Sequence, residues 1–170
     1  HIIDQLPPGP KAIVVQHCQN DVRSATRHLD VTYLEQPLLN GTGGAILAAR
    51  SFLDAIDCGG CIITMGDVPF IRPGTYARLV DRLNDHAMVI LGFKPVDKKQ
   101  YGVLEINSDQ VECITEWKYW REYPAARQAA LSICNAGIYA AKRQTLQRYL
   151  PILASRPQIV HKEIQGQMTP

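Results

Sequence analysis

The sequence predicts an α/β domain, a largely parallel mixed sheet with flanking helices. Three observations carry that prediction. Lys11–His17 is a short continuous apolar run after Pro-Pro-Gly-Pro, the pattern of a strand buried on both faces, and strand character returns at Cys61–Gly66 and Ala87–Phe93. Between these runs, Gly43–Ile56 and Arg72–Asp85 carry apolar residues at helical spacing. Strands that alternate with crossover helices pair in parallel. Lastly, 170 residues with 46% hydrophobic content can bury one substantial core, so residues 1–170 are expected to form a single domain or a large piece of one.

Taken in order, Val31–Gln36 is a second strand candidate, and Gly43–Ile56, rich in Ala and Leu, should be one amphipathic helix entered from a glycine-rich turn. Arg72–Asp85 reads as a helix with Pro73 in its first turn, where the missing N–H costs nothing. After Phe93 the segments become shorter and more alternating: YGVLEIN, QVECITEWKYW and ICNAGIYAA. Asn107–Asp109 separates the first two as a hairpin turn would. Arg121–Ala130 reads as a mobile or helical connector, Lys142–Leu153 as a helix ended by Pro-containing sequence, and Val160–Pro170 has no trustworthy pattern.

The 18 Lys and Arg nearly balance the 16 Asp and Glu, and a net charge of +2 builds no field that argues for nucleic acid or a membrane as partner. Lys98-Lys99 reads as a solvated turn. No apolar run reaches the roughly 18 residues of a membrane span, since charges such as Arg50 and Asp54 interrupt the candidates. His1-Ile2-Ile3-Asp4 lacks the basic and apolar regions of a secretion signal, so a cytoplasmic location is expected. Five cysteines at irregular spacing argue against a disulfide framework. Cys58-Gly59-Gly60-Cys61 has the spacing of a redox pair or half a zinc site, but no second pair accompanies it, and His17, Cys18, Cys113 and Cys134 stand singly. A Gly-Gly turn entering a strand is the simpler reading.

Two places could carry chemistry. In open α/β sheets, ligands bind beyond the carboxyl ends of the strands. Asp67 falls there, after Cys61–Gly66, with Gly66 permitting close approach and Pro69 stiffening the exit. A carboxylate so presented suits Mg²⁺, which takes one or two carboxylates with phosphate oxygens and water. Its competing role is a turn or the cap of the helix near Pro73. Gln36, followed by Pro37-Leu38-Leu39-Asn40-Gly41-Thr42-Gly43-Gly44, also lies past a strand and before a helix. Backbone N–H groups there suit a polar ligand, and a glutamine amide can match a nucleobase edge. The run fits neither of the common phosphate-loop patterns and could equally be a loop and helix start.

The ordered motifs LEQPLLNGTGGAI, IITMGDVPFI, KQYGVLEI, VECITEWKYW and ICNAGIYAAK, spanning nearly His1 to about Leu153, resemble the uridyltransferase domain of the N-acetylglucosamine-1-phosphate uridyltransferases and, more generally, sugar-nucleotide pyrophosphorylases. The resemblance implies a nucleotide-diphospho-sugar transferase fold of Rossmann-like type. It implies Gln36 as the reader of uracil, Gly41 and Thr42 near base and ribose, and Met65-Gly66-Asp67 as the nucleotide-side segment ending in the Mg²⁺-binding, catalytic aspartate. Gly102, Glu116 and Asn135 resemble the residues that hold the sugar. The implied substrates are UTP and a sugar 1-phosphate, foremost N-acetylglucosamine 1-phosphate. Thymidine or cytidine nucleotides, or a non-catalytic sugar-nucleotide-binding or interaction module, are the alternatives.

The chain also departs from the family pattern. It holds no glycine-rich loop of the form L-A-A-G-x-G-T-R-M and no Pro-Lys pair after it, and His1–Gln5 resembles the helix that follows that loop. Nor does it supply a clear second metal-binding asparagine. Met65 stands where an aromatic residue is common, and Ala136 where a hydroxyl residue is common. Without the loop, a sheet strand and the N–H donors around the β- and γ-phosphates are missing. The expectation is a domain incomplete at its N-terminus, with little or no turnover as given, whose open sheet edge favours homo-oligomers.

Overall fold

The computed structural model describes residues 2–16, 19–38 and 40–155, together with the backbone of 163–164 and 167–168. His17, Cys18, Leu39 and most of the 156–170 tail lie outside the described residues, and so do the sequence readings that fall on them. In chain order the elements begin with α1 (Ile2–Gln5), β1 (Ala12–Val15), α2 (Gln19–Thr26), β2 (Thr32–Glu35), α3 (Gly41–Ala48) and α4 (Arg50–Ala55). There follow β3 (Gly60–Ile63), α5 (Pro73–Arg82), β4 (Met88–Phe93), β5 (Val103–Asn107) and β6 (Gln110–Thr115). The chain continues through α6 (Trp117–Trp120), α7 (Ala125–Ala130), β7 (Cys134–Lys142), α8 (Arg143–Ala154), β8 (Glu163–Ile164) and β9 (Gln167–Met168). They fall into two compact units, His1–Gln5 with Cys61–Ala141, and Leu6–Gly60 with Lys142–Pro170.

In the unit built on Leu6–Gly60, β1 and β2 pair in parallel from Ala12↔Thr32 to Val15↔Glu35. Backbone bonds from Thr32 N to Lys11 O and from Gln36 N to Val15 O, both 2.9 Å, extend the ladder one step at each end. Parallel neighbours need a crossover, and α2 provides it; its polar sequence QNDVRSAT carries no apolar stripe, so the helix was not legible from hydrophobic spacing. Its hold on the unit comes from Thr26, buried, whose hydroxyl bonds Val22 O and Tyr33 Oη, each at 2.6 Å. The expected helix Gly43–Ile56 is two helices, α3 and α4, because Ala49 turns to φ −84°, ψ 0° between them. Gly43 admits α8: a Cβ there would lie 3.4 Å from Leu153 Cδ2. The helix α8 spans Arg143–Ala154 with Pro151 inside it, and Leu146 and Leu150 form its buried stripe.

In the other unit the sheet order is β3-β7-β5-β6, with β4 also paired to β7. The α/β class is the one the sequence implies and the sheets are mixed. The described β1–β2 ladder is parallel, while β4–β7, β5–β6 and β5–β7 run antiparallel, which makes the pairing mixed. The reason is local: Ser108 and Asp109, at φ 45° and 71°, make a two-residue turn that reverses the chain between β5 and β6. Tyr76, Leu79 and Leu83 line one face of α5 and its C-cap and are buried, as helical spacing requires. Tyr76, Val103, Cys134 and Ile138 are the largest fully buried side chains among the described residues. The connector after Arg121 is the helix α7, and the end of QVECITEWKYW is the short helix α6, which buries Trp120. Lys98 is not a solvated turn residue. Its ammonium donates to Gln128 O and Leu131 O and lies 4.9 Å from the Trp120 ring, tying the loop before β5 to α6 and α7.

Candidate functional site

On the Leu6–Gly60 unit, Gln36 follows the last pair of the β1–β2 ladder, and its own N–H, bonded to Val15 O, fixes its backbone there. The side chain is 8% exposed. Its Nε2 donates to Asn40 Oδ1 at 3.0 Å and to the Gly41 carbonyl at 3.2 Å. Gly41 opens α3 at φ 82°, a conformation that a Cβ would strain. Thr42 follows in the first turn, where backbone N–H groups have no partner within the helix. Gln36, Gly41 and Thr42 therefore share one helix entrance, and Gln36 bonds Gly41 directly.

On the other unit, β3 ends at Ile63, and Met65-Gly66-Asp67 forms the loop at its carboxyl end. Thr64 holds the start of that loop through its hydroxyl, 3.1 Å from Tyr76 Oη. Met65 packs on β7 at Gly137, where a Cβ would come within 3.1 Å of Met65 Cγ, and φ is 72°. Gly66 and Asp67 are exposed in a turn, and the Asp67 carboxylate makes no hydrogen bond or ion pair with another described residue.

Gly102, just before β5, Glu116, just after β6, and Asn135, on β7, come together. Asn135 N donates to Gly102 O at 2.8 Å, and a Cβ on Gly102 would lie 3.4 Å from Glu116 Oε2. The Asn135 amide is half committed: Nδ2 donates to Tyr139 Oη at 2.8 Å, and Oδ1 accepts from Gly137 N at 3.0 Å. One N–H and one lone pair remain for a ligand. Glu116 caps α6 through its backbone only, accepting from Tyr119 N and Trp120 N, so its exposed carboxylate stays available.

Sequence reasoning missed a polar cluster around Glu105. The Glu105 carboxylate accepts from Thr115 Oγ1 at 2.5 Å, Tyr123 Oη at 3.0 Å and Arg127 Nη2 at 2.7 Å, while Arg127 stacks 3.8 Å from the Tyr123 ring. The Thr115 hydroxyl first, then Arg127, hold the Glu105 carboxyl down at about 2. Tyr139 and Gly137 were missed as well, although both lie in the quoted strand, where residues at even spacing from Asn135 share its face. Among the described residues no group of three or more His, Cys, Asp or Glu side chains could enclose a metal ion. The donor chemistry at Asp67 fits Mg²⁺ nonetheless: one unpaired, exposed carboxylate suits an ion that draws its other oxygens from phosphate and water.

Residues 1–150 match the MobA-like NTP transferase domain. The chain belongs to that family. Within it, the chain is similar to bifunctional protein GlmU of Ruegeria pomeroyi, 34% identical over 143 residues that cover 83% of this chain and 31% of that one. It spans about a third of the length of the curated relatives it matches. Among solved structures it is similar to mannose-1-phosphate geranyltransferase from Thermus thermophilus, with TM-score 0.63 and 19% identity over 85% of this chain and 47% of that one. It is also similar to HddC from Yersinia pseudotuberculosis, with TM-score 0.58 and 21% identity over 92% of this chain and 62% of that one. At those identities the likeness establishes the fold of this NTP transferase. No helix among the described residues is long and apolar enough to cross a membrane.

Proposed function

We propose that this NTP transferase domain belongs to a protein that transfers a uridylyl group from UTP to a sugar 1-phosphate, foremost N-acetylglucosamine 1-phosphate. A phosphate oxygen of the sugar 1-phosphate forms a bond to the α-phosphorus of UTP, the bond from that phosphorus to the β-phosphate's bridging oxygen breaks, and pyrophosphate leaves with the electron pair. The observation that carries the reading is the joining of Gly102, Glu116 and Asn135 through the 2.8 Å bond from Asn135 to Gly102 and the close approach of Glu116.

In this reading Asn135 offers its remaining N–H and lone pair to an acetamido group, and Glu116 accepts from a sugar hydroxyl. A Cβ at Gly102 would lie in van der Waals contact with the Glu116 carboxylate, which places the two side by side. Asp67 would hold Mg²⁺, which when bound neutralises charge on the phosphate oxygens. Gln36 faces the base, with Gly41 and Thr42 at the ribose side. Such chemistry asks for positioning and charge neutralisation rather than a covalent nucleophile.

Pyrophosphate release from UTP and N-acetylglucosamine 1-phosphate with Mg²⁺, measured beside calorimetric titration of UDP-N-acetylglucosamine, tests the reading. Binding of the sugar nucleotide is the expected result, and absence of both binding and release overturns it.

A further inference from the structure

We propose that Asn40 is a positioning residue that locks the Gln36 amide with its carbonyl oxygen outward, so that the site selects a base presenting an N–H donor, the imide of uracil, over one presenting a lone pair there. The inference rests on the reading of Gln36 as the base-facing residue. It adds the direction in which that residue reads and the residue that sets it.

The lock follows from counting donors and acceptors. A glutamine amide has two N–H donors, and both Nε2 hydrogens of Gln36 are committed, to Asn40 Oδ1 and to the Gly41 carbonyl. Rotating the amide by half a turn would set Oε1 against the Gly41 carbonyl, an oxygen that cannot become a donor. The Gly41 carbonyl disfavours the turned amide only while the amide stays beside it, and the shorter bond to Asn40 Oδ1 holds it there, so loss of Asn40 releases the orientation. What remains is Oε1, which accepts from no described residue and is not among the buried polar atoms left without a partner, so solvent reaches it. A lone acceptor on a restrained amide attracts N3–H of uracil and repels the N3 lone pair of cytosine.

Two further observations support the assignment. Asn40 occupies the N-cap position of α3, where asparagine is favoured because its side chain bonds the first-turn N–H groups. It makes no such bond; its oxygen is turned to Gln36 instead. Four residues on, a Cβ at Gly44 would fall 1.4 Å from Asn40 Oδ1 and 2.8 Å from Gln36 Nε2. Any other residue at 44 would break the pair, so the glycine preserves room for it.

The test compares UTP, CTP and N3-methylated UTP by calorimetric titration of the 170-residue chain and its variants. The triphosphate is common to all three, so the ratios isolate the base. Wild type is expected to bind UTP about tenfold or more tightly than either competitor, since a site built to pair a polar edge rejects the ligand that leaves it unpaired. Asn40→Ala should lower the UTP-to-CTP ratio at least about threefold by freeing the amide to turn. Asn40→Asp keeps the acceptor and should restore the ratio, which a merely structural loss would not do. An unchanged ratio in Asn40→Ala overturns the proposal, and so does N3-methylated UTP binding wild type as tightly as UTP; the second comparison decides alone if the variant does not fold. Failure of wild type to bind any uridine nucleotide refutes the reading of Gln36 itself, a result distinct from binding that ignores N3.

Discussion

Protonating or neutralising Glu105 should loosen the segment from β5 to α7 and shift the platform under Glu116. The carboxylate collects three donors, from Thr115, Tyr123 and Arg127, and its carboxyl is lowered from 4.5 to about 2. A depression of that size corresponds to about 3 kcal/mol of folded-state preference for the ionised form, at 1.36 kcal/mol per unit. The Arg127 side chain is 52% exposed, so solvent screens its share, and about 1–2 kcal/mol is the reasonable expectation. The sign is that of a lowered carboxylate: its stabilisation is complete above about 4.5 and drains away as pH falls toward 2.

Urea unfolding followed by circular dichroism at pH 7 and at successive steps below pH 4.5 measures this directly. Glu105→Gln keeps acceptor capacity for Thr115 and Tyr123 but removes the charge facing Arg127. It should cost about 1–2 kcal/mol at pH 7 and flatten the acid limb of the stability profile. Wild type and variant losing stability in parallel between pH 4.5 and pH 2 would refute the assignment of that limb to Glu105.

Three other outcomes follow from the same geometry. Gly92→Ala would place a Cβ 2.6 Å from Ile133 Cγ2 and 3.0 Å from Leu104 Cδ1, beside the bulge in the β4–β7 ladder, and should cost about 1–3 kcal/mol in urea unfolding. Asp67→Asn should leave the unfolding free energy within about 0.5 kcal/mol, as expected of a surface side chain without partners, yet abolish any dependence of UTP affinity on Mg²⁺ in titrations with and without the ion. Tyr139→Phe removes the partner of Asn135 Nδ2 and should weaken N-acetylglucosamine 1-phosphate binding about three- to tenfold, with UTP binding unaltered, in calorimetry of the two ligands.

What could be read from the sequence is what depends on neighbours along the chain. Pro73 at the start of α5, the two-residue turn between β5 and β6, and the strands flanking the helical segments follow from local rules, and the structure has them where those rules put them. What escaped depends on side-chain pairing at a distance. Helix α2 has no apolar stripe to announce it and is held by a threonine hydroxyl. Lys98 sits in a charged pair that spacing alone assigns to solvent, but its ammonium finds the carbonyls at the end of α7, some thirty residues on. The break at Ala49 is silent too, because alanine favours a helix and the apolar period runs through it. The same division holds in the candidate site. The motifs give Asn135 and Gln36, whereas the residues that orient them, Tyr139, Gly137 and Asn40, show themselves only through hydrogen bonds.

The candidate ligand-facing groups divide into two kinds with different physical duties. The neutral amides, Gln36 and Asn135, are each pinned by two hydrogen bonds that use up part of their capacity, and a group with few remaining options discriminates, because a mismatched ligand leaves a desolvated donor or acceptor unpaired. The side-chain oxygens of Asp67 and Glu116 are exposed and bonded by no described residue, which leaves them open to a cation or a hydroxyl. Glu105 makes the contrast sharp: a third carboxylate of the same unit has three of its roughly four lone-pair sites taken by Thr115, Tyr123 and Arg127, and it serves the fold. The distinction is testable by swapping roles. Removing Thr115 and Arg127 together should return the Glu105 carboxyl toward 4.5 in an NMR titration without changing Mg²⁺ or nucleotide affinity, whereas a change in that affinity would mean that bonding to neighbours does not separate structural acids from functional ones.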